Sequence, residues 1–87
     1  MAFTVTWTSA AEQALMNLWL ASRSRWSISE ASHRIDELLR TNPSMAGESR
    51  TDNCRVLFVD PLAVEFLVFE SDCRVLVIDV WPMRRRR

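Results

Sequence analysis

CRVLFV (54–59), LAVEFLVFE (62–70) and CRVLVIDVW (73–81) follow one another with only Asp60-Pro61 and Ser71-Asp72 between them. The runs are rich in β-branched and aromatic residues. The joints are turn chemistry, because Asp and Ser bond their own backbone and Pro fixes φ, so the segment reads as an up-down-up antiparallel meander. The outer runs both open Cys-Arg-Val-Leu, which sets Arg55 and Arg74 at matching entries of the two strands flanking the middle one. The expectation is one sheet face carrying two guanidinium groups near one end.

Outward from the meander, Phe3, Val5 and Trp7 alternate with Thr4, Thr6 and Thr8, a period of two that predicts a strand over 2–8. Ser9-Ala-Ala-Glu12 has the form of a capping box and predicts a helix to about Ser22, with Ala11, Leu15, Leu18 and Trp19 on one face. Ser27-Ile-Ser-Glu30 repeats the box. It opens a second helix with Ile28, Ala31, Ile35, Leu38 and Leu39 inward, ended by Asn42-Pro43. The short joint makes the pair an antiparallel hairpin whose task is to cover the sheet. The fold class is therefore α+β: a small antiparallel sheet in the order β-α-α-β-β-β, with a helical hairpin packed on one face.

With 87 residues, 48% of them apolar, a single Gly and three Pro, the chain is one folded domain over residues 1–83 followed by a basic tail, Arg84 to Arg87. Asp60, Glu65, Asp72 and Asp79 interrupt the apolar third, so no run reaches the roughly 18 uncharged residues of a membrane span. The opening residues have no basic region followed by an apolar one, so a secretion signal is not expected and the compartment is taken as cytoplasm. Cys54 and Cys73 fall two strands apart, about 9 to 10 Å, too far for a disulfide. Two Cys with one His also fall short of a four-ligand zinc set, and no cofactor is expected.

Charge is segregated. Residues 1–83 hold seven Arg against eleven Asp and Glu, a net of −4, and the four terminal Arg restore neutrality. There is no Lys and no Tyr. His33 lies with Glu30, Arg34 and Glu37 on the side of the second helix away from the apolar stripe, and Trp7, Trp19 and Trp81 fit apolar periodicities of core or groove. Residues 44–53, SMAGESRTDN, carry the only Gly and read as a loop that hangs Glu48 and Arg50 over the sheet end near Arg55. A carboxylate among Arg residues has two explanations. One is a set of surface ion pairs; the other is phosphate chemistry, with the Arg groups clamping a phosphate and Glu48 taking a proton.

In this order and at this length, IDELLRTNP (35–43), GESR (47–50), RVLFVDPLAVEFLV (55–68) and RVLVIDVW (74–81) together resemble the RelE/ParE family of bacterial type II toxin-antitoxin toxins. The resemblance implies a cognate antitoxin protein, with operator DNA reached through it, and a concave Arg-lined sheet face. RelE-like members cleave mRNA in the ribosomal A site, and ParE-like members inhibit DNA gyrase without RNase chemistry. Ribosome-dependent cleavage is the leading expectation, gyrase inhibition or a catalytically weakened antitoxin binder the alternatives. Cleavage would carry Arg55 and Arg74 over as phosphate clamps, Arg50 as a third cation and Glu48 as base. RelE-like sites usually draw Lys, Tyr or His from the loop and from the C-terminal strand end, where this chain has Trp81, Pro82 and Met83. The tail, Arg84, Arg85, Arg86 and Arg87, is the expected nucleic-acid or antitoxin contact.

Overall fold

The computed structural model describes residues 2–83 and runs β1 (Thr4–Trp7), α1 (Ser9–Ala21), α2 (Arg25–Thr41), β2 (Glu48–Thr51), β3 (Cys54–Val59), β4 (Leu62–Phe69) and β5 (Arg74–Pro82). Single 3-10 turns occupy Pro43–Met45 and Glu70–Asp72. Arg84 to Arg87 lie outside the described residues. The strands form one sheet in the order β1-β5-β4-β3-β2, and the architecture is the expected α+β one. The meander is as read from the sequence, with β3 antiparallel to β4 and β4 to β5.

Two features go beyond that reading. β1 joins the far edge beside β5 and runs parallel to it, so the sheet is mixed. The polar stretch expected to be loop contains β2, which pairs antiparallel with β3 and closes a two-residue turn at Asp52-Asn53. Asp52 takes the left-handed conformation (φ 40°) that such tight hairpins use. All four residues of β2 are exposed. An edge strand with no side chain to bury leaves no hydrophobic period, so its pairing is decided by the backbone of β3 alone.

Glycine is required at one point on the way into β2. Gly47 has φ +63°, and a Cβ there would stand 2.0 Å from the Val56 carbonyl oxygen.

The helix starts also differ from the expected boxes. Thr8, not Ser9, caps α1: its Oγ1 accepts from Ala11 N at 3.1 Å. α2 begins at Arg25, ahead of Ser27, and Ser24 at its cap makes no side-chain bond to the helix backbone. The Ser24 and Ser27 hydroxyls instead bond each other at 2.7 Å. Arg25 closes the turn by donating to the Trp19 and Leu20 carbonyls at 3.3 and 3.4 Å, the Trp19 carbonyl also accepting from the Ser22 amide at 3.4 Å.

The core lies between the hairpin and one face of the sheet. From α2 come Ile28, Ala31, Ile35 and Leu39; from the sheet come Leu57, Leu62, Val64, Phe66, Val68, Val75, Val77 and Val80. Ala11 is the one buried residue of α1. Leu38 and Trp19, expected inward, are 37% and 36% exposed.

Candidate functional site

The register of the meander fixes where each Arg goes. Arg55 stands opposite Phe66, and Phe66 is fully buried beneath the helices, so Arg55 is on the helix side of the sheet. There its Nε donates to the Ala46 carbonyl at 2.8 Å and its Nη2 to the Gly47 carbonyl at 3.1 Å. Arg74 stands opposite Phe69 and next to buried Val75, so it is on the other, open side. The two guanidiniums do not share a face. The matching Cys-Arg-Val-Leu openings misled because each strand alternates from its own register, and β5 is offset by three residues relative to β3 at this end.

Four other residues meet on the open face. Glu48 pairs with Val56, Val56 with Glu65 and Glu65 with Asp79, a cross-strand row through β2, β3, β4 and β5 that carries three carboxylates. Adjacent strands are about 4.8 Å apart, so Glu65 and Asp79 are near neighbours and Glu48 lies about 10 Å from Glu65. Asp79 also accepts from the Val80 amide at 2.8 Å, beside the bulge that admits Ile78. Glu48, Arg50 and Arg74 form no ion pair with one another among the described residues.

Cys54, Val56 and Ala63 are buried but stand apart from the main core, and all three belong to this open face. Their cover comes from larger neighbours on the same face, which include Phe58 and Trp81 on either side of Ala63. The Cys54 thiol donates to Glu65 Oε2 at 3.1 Å. Burial pushes this thiol above its ordinary pKa, the hydrogen bond and negative charge of Glu65 push it further, and the Arg50 charge opposes them. It is a held, protonated thiol. No disulfide joins it to Cys73.

A second surface lies on the hairpin. Met16, Trp19, Leu20 and Trp26 are 57%, 36%, 55% and 73% exposed, and a groove of about 430 Å³ runs between α1 and α2. Trp7 and Trp19 line it, each indole N–H engaged: Trp7 with Asp36 at 3.4 Å, Trp19 with Ser29 at 3.2 Å. His33 is exposed, as expected. No group of three metal-ligating side chains occurs among the described residues, and none of their helices is long and apolar enough to cross a membrane.

Glu65 and Asp79 were not among the expected site residues. Glu65 was visible in principle, since Val64 and Phe66 on either side belong to the buried period of the strand. Asp79 was hidden by the bulge, which breaks strict alternation.

No family model matches the sequence, nor does any curated protein. Solved structures do match it. A chain of the RelBE2 toxin-antitoxin complex from Mycobacterium tuberculosis is 13% identical with a TM-score of 0.77, over 94% of this chain and 92% of that one. One from the chromosomal ParDE system of P. aeruginosa is 15% identical with a TM-score of 0.70, over 95% and 98%. The isolated E. coli RelE toxin is 19% identical with a TM-score of 0.66, over 99% and 89%. The chain therefore has the fold shared by RelE and ParE toxins. At these identities the likeness is one of fold.

Proposed function

We propose that this chain is the toxin half of a type II toxin-antitoxin pair, held by its antitoxin across the helical hairpin, and that it arrests growth by binding a protein target rather than by cutting RNA. Fold alone does not assign function, so the choice of mechanism rests on the site. One observation carries it: the row Glu48, Glu65 and Asp79 on the open face of the sheet. A phosphate backbone meets three carboxylates there, and among the described residues only Arg74 and Arg50 oppose them. With Arg55 tied to Ala46 and Gly47 on the helix side, the clamp needed to stabilise charge on a transferring phosphate lacks one of its arms. The expected leading activity, RelE-like cleavage, thus has weaker support than gyrase inhibition, which needs no acid-base set. DNA gyrase is accordingly the proposed target, in the cytoplasm. Arg84 to Arg87 would supply a salt-sensitive contact to the antitoxin or operator DNA.

Induced expression tests the reading. Growth arrest with intact transcripts, and loss of supercoiling when purified chain is added to gyrase, is the expected result. Transcript ends mapping to A-site codons, abolished by Arg74→Ala, would overturn the mechanism. Unimpaired growth at high expression would overturn the toxin reading itself.

A further inference from the structure

The two edges of the sheet are finished differently. At the β1 edge the chain is tied to α2, the Phe3 amide donating to the Arg40 carbonyl at 2.7 Å, and Val5 and Trp7 pack against the core. At the other edge β2 is the last strand, and Glu48, Ser49, Arg50 and Thr51 are all exposed. Sheet edges are commonly guarded by Lys or Pro, and this strand has neither. Its one guard is the irregularity between Ser49 and Thr51, which limits regular pairing to residues 48–50.

β2 is also self-complementary in charge. Glu48 stands opposite Val56 and Ser49 opposite Arg55, so Glu48 is on the open face and Ser49 on the helix side. The charge of Arg50 acts on Cys54, which places Arg50 on the open face with Glu48. The two residues are about 6.7 Å apart along the strand, and their side chains form no ion pair with each other. When two β2 strands pair antiparallel about a two-fold axis at Ser49, each Glu48 falls directly opposite the Arg50 of the other copy. An axis at Glu48 or at Arg50 would oppose like charges instead, so charge selects one register.

We infer that two copies of this chain associate edge to edge through β2, about a two-fold axis at Ser49, with the Glu48 of each copy paired to the Arg50 of the other. The inference stands apart from the toxin reading, since it draws on the sheet edge and not on the hairpin. The join makes one continuous sheet out of two five-stranded ones and sets both open faces on the same side. It also engages Arg50, one of the two cations that oppose the carboxylate row among the described residues. Backbone bonds over three residues and two exposed charge pairs make a small interface, so the dimer is weak and forms where the chain accumulates.

Sedimentation equilibrium of the full chain at low salt, over a series reaching about 1 mM, tests this. Wild type should show a monomer-dimer equilibrium, and amide exchange at residues 48–50 should slow as the dimer fills. Glu48→Arg and Arg50→Glu should each weaken association at least about tenfold, because both charge pairs become like-charge pairs. The doubly exchanged chain, Glu48→Arg/Arg50→Glu, keeps the net charge and should dimerise as wild type does. Both positions are exposed, so the variants keep the fold, which an unchanged urea midpoint verifies. A wild type that stays monomeric throughout the series, or a double exchange that fails to restore the dimer, would overturn the inference. So would association that none of the three variants alters, which would belong to the apolar face of α1.

Discussion

The two helices of the hairpin have opposite relations to the core. α2 is polar in most of its sequence, carries Glu30, His33, Arg34, Asp36, Glu37 and Arg40, and yet buries Ile28, Ala31, Ile35 and Leu39 in a clean stripe. α1 is mostly apolar, with Leu15, Met16, Leu18, Trp19 and Leu20, and yet buries only Ala11 fully. Amphipathic separation, and not apolar content, is what anchors a helix to a sheet. Leu15 and Leu18 pack partly against the core, whereas Met16, Trp19 and Leu20 face water, and a folded chain of this size seldom exposes so many large side chains together without a partner for them. α2 holds the fold together; α1 carries the exposed face on which the proposed antitoxin contact falls.

The sharpest test of that division is truncation of the α2 stripe. Ile35 is fully buried, so Ile35→Ala should cost about 3 kcal/mol in urea denaturation through lost transfer energy and a cavity. A cost near zero would mean that α2 is not the anchor. On the sheet beneath α2, Arg55→Met should cost about 1–2 kcal/mol, because the Ala46 and Gly47 carbonyls lose their donors at the entry to β2. An unchanged midpoint would return Arg55 to the list of solvent-facing groups. On α1, Met16→Gln should stay within about 0.5 kcal/mol of wild type and should reduce self-association in sedimentation, since it removes exposed apolar surface from a helix-tolerant position. A loss as large as that of Ile35→Ala would make the outer face of α1 structural.

The smallest effect expected is on pH dependence. Cys54 has its folded-state pKa raised, so its protonated form is favoured by folding; that contribution is complete below the ordinary thiol pKa and is lost as pH climbs through the raised value. Cys54→Ala should therefore flatten the alkaline limb of the stability-pH curve and leave the neutral region parallel to wild type. Rapid alkylation of Cys54 in the native protein at neutral pH would contradict the held thiol.

The meander, the hairpin and the end of α2 at Asn42-Pro43 were readable from the chain because each rests on local chemistry: period two, period 3.6, turn pairs and proline. The open-face site was not. Arg55 and Arg74 look equivalent in sequence, and only the strand register, which depends on pairing between segments far apart in the chain, sends one under the helices and the other to the open side. β2 carried no signal of its own, since all its side chains face water and its hydrogen bonds belong to β3. The parallel seat of β1 beside β5 was likewise decided by the whole assembly, through bonds such as Thr4 N to the Cys73 carbonyl at 2.9 Å. Local composition thus determined the elements other than β2, and the segregation of charge, in this protein. Which charges share a face, and whether that face welcomes phosphate, was decided by backbone pairing at long range, because a shift of one residue turns a side chain from one side of a sheet to the other.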